Sequence, residues 1–184
     1  MSNSRVNFVI HTERLELVPS TLAHIEAELE TPCRFGDLLG VPIPESWPPG
    51  EYDRDALEYF RAKLESGGPS HVGWYGWYAL TRNPSEQCKL LIACAGFLGP
   101  PSDGTVEIGY SVIPSARNQG YASEIVSALL ARAFSDSSVT EVIAHTSDLN
   151  VPSIKVLLRC GFHLVGPGIE PDSVQYKVTR PPRA

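Results

Sequence analysis

Glu107-Ile108-Gly109-Tyr110-Ser111-Val112-Ile113-Pro114-Ser115-Ala116-Arg117-Asn118-Gln119-Gly120-Tyr121-Ala122 is the stretch from which the rest of the chain can be organised. Over Thr105 to Ile113 the residues alternate: Val106, Ile108, Tyr110 and Val112 fall on one face of a strand, Glu107, Gly109 and Ser111 on the other. Pro114 ends the alternation. From Gln119 to Phe134 the period changes, with Ala122, Ile125, Val126, Leu129, Leu130 and Ala133 spaced as one face of a long amphipathic helix. The turn between strand and helix is the chemically informative part. The first N–H groups of a helix lack internal partners and its dipole favours anions, so a phosphate can be held there by backbone alone. Gly120 allows close approach of an oxygen, small Ala122 lets the helix pack on the sheet, and Arg117 adds positive charge.

Working outward, Leu15 and Leu17 flank polar Glu16 as in a strand, and Pro19-Ser20-Thr21 offers a helix start ahead of Leu22, Ile25 and Leu29. Residues 31–52 contain Pro32, Pro42, Pro44, Pro48 and Pro49 and are expected to form an ordered surface insertion without sustained regular structure. Asp53 can cap a helix bearing Ala56, Tyr59, Phe60 and Leu64, with Gly67-Gly68 ending it. Three strands in a meander are expected at Trp74 to Leu80, Leu90 to Leu98 and Thr105 to Ile113, with turns around Asn83-Pro84 and Pro100 to Gly104. Beyond the long helix, the pattern predicts a strand at Glu141 to Thr146, a short helix from Pro152 to Arg159 closed by Gly161, and strands at Phe162 to Val165 and Val174 to Val178. This order describes an α/β sandwich around a mixed sheet.

The 184 residues suit one domain, spanning residues 1–184 and long enough to bury a core without disulfides or metals. No run approaches the roughly 20 apolar residues of a membrane span, and Met1 to Val9 lack a signal-peptide pattern, so a cytoplasmic setting is expected. Cys33, Cys88, Cys94 and Cys160 form no CxxC pair and have no His at ligand spacing; no metal is expected, and each cysteine reads as a small buried thiol. A net charge of −6 without a basic block argues against nucleic acid. A small ligand or a cationic partner fits better.

Arg-x-x-Gly-x-Ala at Arg117 to Ala122 is similar to the (Gln/Arg)-x-x-Gly-x-(Gly/Ala) signature of the GNAT acyltransferases. Asn150-Val151-Pro152-Ser153 through Gly161-Phe162 resembles the Asn-x-x-Ser-to-Gly-Phe segment of the RimJ/RimL-type branch, Thr12-Glu13-Arg14-Leu15 looks like its opening, and Glu107-Ile108-Gly109-Tyr110 like its fourth strand. The resemblance spans roughly residues 11 to 178. It implies a mixed, mostly antiparallel central sheet flanked by helices on both faces, with two central parallel strands that splay apart around acetyl-CoA. Carried over, Val112 and Ile113 would hold the pantetheine arm, Arg117, Gln119, Gly120, Tyr121 and Ala122 the diphosphate, and Asn150 the pantetheine or thioester region.

The implied reaction moves an acetyl group from acetyl-CoA to a primary amine, on a protein N-terminus or a small molecule, by direct attack in a ternary complex. Such a reaction needs a neutral nucleophile, a donor for the oxyanion and protonation of the departing thiolate. Glu107 is the expected general base, directly or through water, and a backbone N–H near Ser111 or Val112 the oxyanion donor; alternatively Glu107 is an exposed strand glutamate paired with a cation. His145 is either a second base or structural. Many GNAT members carry a tyrosine acid where Leu157 stands here, which leaves Ser153 as the substitute acid, or as a plain helix cap. Tyr110 and the run Trp74, Tyr75, Trp77 and Tyr78 read as packing, and Trp47 as an entrance cover or a loop anchor. Glu45, Glu51 and Asp53 would suit a cationic acceptor, or simply form a solvated loop. The missing tyrosine also admits a non-catalytic acyl-CoA-binding module, and the assembly is expected to be a monomer or a homodimer.

Overall fold

A computed structural model describes residues 9–50, 52–82 and 88–182. The turn expected at Asn83-Pro84 and the acidic Glu51 lie outside the described residues. Eight strands form one sheet: β1 (Ile10–His11), β2 (Leu15–Pro19), β3 (Gly76–Thr81), β4 (Leu91–Phe97), β5 (Thr105–Val112), β6 (Glu141–Ser147), β7 (His163–Pro167) and β8 (Ser173–Thr179). Their order across the sheet is β1-β2-β3-β4-β5-β6-β8-β7. Every neighbouring pair is antiparallel except β5 and β6. A parallel pair needs a long crossover, and the long helix α4 (Tyr121–Ser135) supplies it.

The β5–β6 pairing is short. Thr105, Val106 and Glu107 pair with Glu141, Val142 and Ile143, after which β5 runs on to Val112 and β6 to Ser147 without further pairing. The two central strands therefore splay apart beyond Glu107, as the resemblance implied. Tyr78, Cys94 and Ser111 are paired across β3, β4 and β5 and so share one face. On that face Tyr78 meets His24 of α1 (Leu22–Glu30) and Phe35 of α2 (Pro32–Leu39). On the other, Tyr110 reaches Ser153 of α5 (Val151–Arg159). Helices thus cover both faces, and Ile125, Val126, Leu129, Leu130 and Ala133 bury the predicted stripe of α4. Burying each of the larger of these contributes roughly 1.5–3 kcal/mol.

α3 (Arg54–Gly67) begins and ends as read from the sequence: the Asp53 side chain accepts from Ala56 N–H, and Gly68 closes it. The segment 31–52 differs from expectation. Pro32 stands in the first turn of α2, where a missing N–H costs nothing, and Gly40 in the left-handed region (φ 68°) terminates that helix. Phe35 buries itself on the core, so this part is a helix rather than an irregular insertion. Residues 41–50 then lie against the sheet, with Val41, Pro49 and Tyr52 buried. The cysteines also divide: Cys94 is buried and Cys160 half-buried, but Cys33 and Cys88 are exposed. Cys33 sits in the first turn of α2, whose buried residue is Phe35, and Cys88 precedes β4.

Candidate active site

The loop between β5 and α4 has the shape expected of an anion cradle. Asn118 (φ 61°) and Gly120 (φ 82°) both adopt the left-handed conformation, and the first helical bond runs from Glu124 N–H to the Gly120 carbonyl. The N–H groups of Tyr121, Ala122 and Ser123 therefore open α4 without an intrahelical acceptor. Arg117 donates from Nε to the Val112 carbonyl (3.0 Å), and Gln119 from Nε2 to the Ser115 carbonyl (3.1 Å). Both side chains brace the turn, and the groups left facing outward are backbone donors.

Register decides which groups of β5 face the splay. Leu98 N–H donates to the Glu107 carbonyl and Ile113 N–H to the Ile92 carbonyl, and the β4–β5 register is unbroken between them. Hydrogen bonding alternates along an antiparallel pair, so Glu107, Gly109, Ser111 and Ile113 point their N–H groups at β4. Ile108, Tyr110 and Val112 point theirs toward β6, where Ile108 N–H serves the Glu107–Ile143 pairing and the other two open onto the gap. The expected oxyanion donor near Ser111 or Val112 is narrowed accordingly: Ser111 N–H is turned away, and Tyr110 and Val112 are the gap-facing donors. Ile113 is committed on both sides, since its carbonyl accepts from Ala116 N–H, and the Val112 carbonyl is held by Arg117, which leaves the Val112 N–H as the open group of this pair.

At the point where pairing stops, Glu107 Oε1 lies 2.7 Å from His145 Nδ1. The parallel register puts Glu107 opposite Ile143, so His145, two residues further on, projects from the same face just beyond it. His145 Nε2 is buried and meets no protein partner among the described residues. Glu107 and His145 line a cavity of about 560 Å³ together with Gly109, Ser111, Tyr52 and Phe60. Its floor is bare of side chains where Gly96 of β4 pairs with Gly109 of β5. A Cβ on Gly109 would meet nothing within 4 Å. Gly109→Val is therefore expected to fold normally while raising the acceptor KM about tenfold or more by occupying the cavity, measurable by initial rates alongside a melting curve.

Ser153 and Tyr110 meet on the other side of β5. The Tyr110 hydroxyl is 3.0 Å from Ser153 Oγ, and burial raises its pKa to about 12 against the lowering effect of the Ser153 bond. Tyr110 thus does more than pack. Asn150 caps α5, its Oδ1 accepting from Ser153 N–H at 3.2 Å, so the cap is Asn150 and not Ser153. The Asn150 amide N–H2 is left as the group able to serve a ligand. Leu157 is fully buried.

Two groupings were not read from the sequence. Glu28 on α1 accepts from Trp47 Nε1 (2.6 Å), Tyr78 OH (2.7 Å) and Tyr52 OH (3.1 Å), which anchors the Pro-rich loop at the cavity wall. Trp47 is accordingly an anchor, packed in tilted and edge-on contacts among Phe35, Tyr52 and Tyr78. The second grouping joins Thr12 and Arg14 to Glu124 at the start of α4. Helical spacing would have shown Glu28 beside Ile25 and Leu29 on α1, but nothing local reveals its three partners.

Comparison with known proteins agrees with this geometry. Residues 14–163 match the model of the acetyltransferase (GNAT) domain family. The chain is 27% identical over 157 residues to the uncharacterized N-acetyltransferase YjdG of Bacillus subtilis, covering 85% of this chain and 90% of that one. It is also 27% identical over 191 residues to the FsC-acetyl coenzyme A-N(2)-transacetylase of Aspergillus fumigatus, covering 93% and 76%. The crystal structure of a GNAT-family acetyltransferase from Bacillus anthracis shares the fold, with a TM-score of 0.62 at 22% identity over 94% of this chain and 98% of that one. No helix among the described residues is long and apolar enough to cross a membrane. With a strand-turn-helix unit, splayed parallel strands and a matching domain over most of its length, the chain belongs to the GNAT acetyltransferase family and is an acetyl-CoA-dependent acetyltransferase.

Proposed function

We propose that the protein transfers the acetyl group of acetyl-CoA to a primary amine bound in the cavity beside Glu107, in a ternary complex. The observation that carries this reading is the Glu107–His145 contact of 2.7 Å at the point where β5 and β6 part. The unpaired N–H groups opening α4, with Gly120, Tyr121 and Ala122 at the turn, take the diphosphate; Val112 and the Asn150 amide take the pantetheine arm. An ammonium arriving in the cavity must lose a proton before its lone pair can attack. Glu107 accepts that proton, directly or through His145 when Nδ1–H is held on the carboxylate and Nε2 is the basic nitrogen. The amine nitrogen then bonds to the thioester carbon. The oxyanion that forms is met by Tyr110 N–H, collapse breaks the carbon–sulfur bond, and the second proton shed by the attacking nitrogen balances the one taken up by sulfur.

The departing thiolate lies on the side where Ser153 meets Tyr110. The Tyr110 hydroxyl donates to the Ser153 carbonyl (3.2 Å) and lies 3.0 Å from Ser153 Oγ, so Tyr110 orients the Ser153 hydroxyl, which donates a hydrogen bond to sulfur while the proton released by the attacking nitrogen reaches the thiolate through water. Ser153→Ala is expected to lower kcat about tenfold with little change in acetyl-CoA KM, as read by CoA release. Undiminished kcat would assign the thiolate to water alone.

The Thr12-Glu13-Arg14-Leu15 and Asn150-to-Phe162 segments support a place in the RimJ/RimL-type branch, whose acceptors are protein N-terminal amines or small amines. Acetyl-CoA as donor and the free thiols of Cys33, Cys88, Cys94 and Cys160 support a cytoplasmic enzyme, as monomer or homodimer. Measuring CoA release against a panel of small amines and N-terminal peptides tests the reading. Acetylation of at least one amine above the hydrolysis background is expected, and turnover that is indifferent to every amine would overturn it.

A further inference from the structure

The N-terminal residues Thr12 and Arg14 converge on the start of α4, more than a hundred residues away in sequence. Thr12 Oγ1 donates to Glu124 Oε1 (2.5 Å), Arg14 N–H to the same oxygen (2.9 Å), and Arg14 Nε and Nη2 to Oε2 (2.8 and 2.7 Å). The remaining arm of the guanidinium, Nη1, donates to the Gln119 carbonyl at 2.9 Å. Its plane lies over the Tyr121 ring, 4.5 Å from the centroid, and a Cβ built on Gly120 would be 3.4 Å from Nη2. One side chain therefore touches Gln119, Tyr121 and Glu124 and passes beside Gly120, the turn and the first helical residues together.

We propose that Thr12, Arg14 and Glu124 form a clip that sets the conformation of the diphosphate-binding turn, and that Arg14 there cancels a carboxylate charge which would otherwise oppose the diphosphate. This inference rests on the proposed use of that turn. The argument is one of charge and geometry. Glu124 lies in the first turn of α4, where an anion is favoured by the helix dipole but competes for it with any phosphate. Burial alone would push its carboxyl up, yet the bonds from Thr12 and from the Arg14 amide and guanidinium outweigh this and hold it below the usual range. It is therefore a charged group, and the fork of Arg14 neutralises it through Nε and Nη2 on Oε2. The same guanidinium, by holding the Gln119 carbonyl, keeps that oxygen bonded and the flanking N–H groups free. Arg14 is thus a positioning residue: it acts on the ligand through the turn.

The test is titration calorimetry of the full chain with CoA, with melting temperatures measured in parallel. Arg14→Ala is expected to raise the CoA Kd about tenfold, because it both loosens the turn and leaves Glu124 unopposed. Arg14→Ala combined with Glu124→Gln is expected to recover about threefold of that loss, since the second change removes the exposed charge. A clip with only a structural role predicts the reverse, the double variant binding no better than the single, and that result would overturn the proposal. Arg14→Lys keeps the charge but not the fork and is expected to fall between the wild type and Arg14→Ala, even where the alanine variant does not fold; a Kd for the lysine variant equal to that of the wild type would also overturn it. Absence of heat with wild-type protein would instead refute the use of the turn for a diphosphate, and the clip's proposed role with it.

Discussion

Replacing Glu107 with Gln is expected to lower kcat by about a hundred- to a thousandfold while leaving the melting temperature and the acetyl-CoA KM near wild type. The carboxamide is nearly isosteric, and its oxygen can still accept from His145 Nδ1, so the 2.7 Å contact that links β5 to β6 is retained. What is lost is the ability to take a proton. His145→Gln separates the two routes. If the proton passes through Nε2, this variant falls nearly as far as Glu107→Gln; if Glu107 accepts it directly, the loss is within about tenfold. A Glu107→Gln enzyme with unchanged turnover would make the pair a structural tie between strands.

The second large effect concerns stability. Glu28→Ala is expected to destabilise the fold by about 3–5 kcal/mol, since it strands the Trp47 indole N–H and the hydroxyls of Tyr52 and Tyr78 without their acceptor. Denaturant unfolding would measure this, and a loss under about 1 kcal/mol would contradict it. The loop at 41–50 should exchange its amides faster in the variant, because Trp47 and Tyr52 are its anchors. Gly50 lies so close to Ser111 that an added Cβ would approach Oγ to 2.5 Å, so the same loop borders the cavity and acceptor binding should weaken in parallel. The pH dependence has a definite sign. Burial raises the Glu28 carboxyl above its ordinary value, against the opposing bonds from Tyr78, Trp47 and Tyr52. The folded state then holds this proton more tightly than the unfolded chain, so the contribution is complete below the ordinary glutamate range and declines as pH rises through the folded value. The stability advantage over Glu28→Gln should accordingly narrow as pH increases from the acid side.

Much of the fold follows from contiguous residues. The apolar stripe of α4, the Asp53 cap and Gly68 stop of α3, the glycine at position 161 (φ 87°) after α5, and the alternation of β5 each depend on backbone periodicity or on a cap within a few residues. Such signals need no knowledge of distant neighbours, and so strand and helix order could be read directly. The segment 31–52 is different in kind: Pro32 reads locally as a breaker although in a first helical turn it is a starter, and only the burial of Phe35 against Tyr78 makes α2 worth forming.

For the candidate site, the amino-acid sequence by itself determined the shape of the turn at Arg117 to Ala122, because left-handed Gly120 and an open helix start are local properties of those residues. Only the tertiary structure decided what surrounds it. Which β5 amides face the gap depends on the β4–β5 register, and the meeting of Glu107 with His145 depends on where the parallel pairing stops. The same holds for Tyr110 with Ser153, for Glu28 with its three donors, and for Arg14 with Glu124. These pairs are 38 or more residues apart except for those of Glu28 with the loop that folds back on it. Strand register and helix docking are set by the burial of the whole core at once, and no single stretch of the chain carries that information.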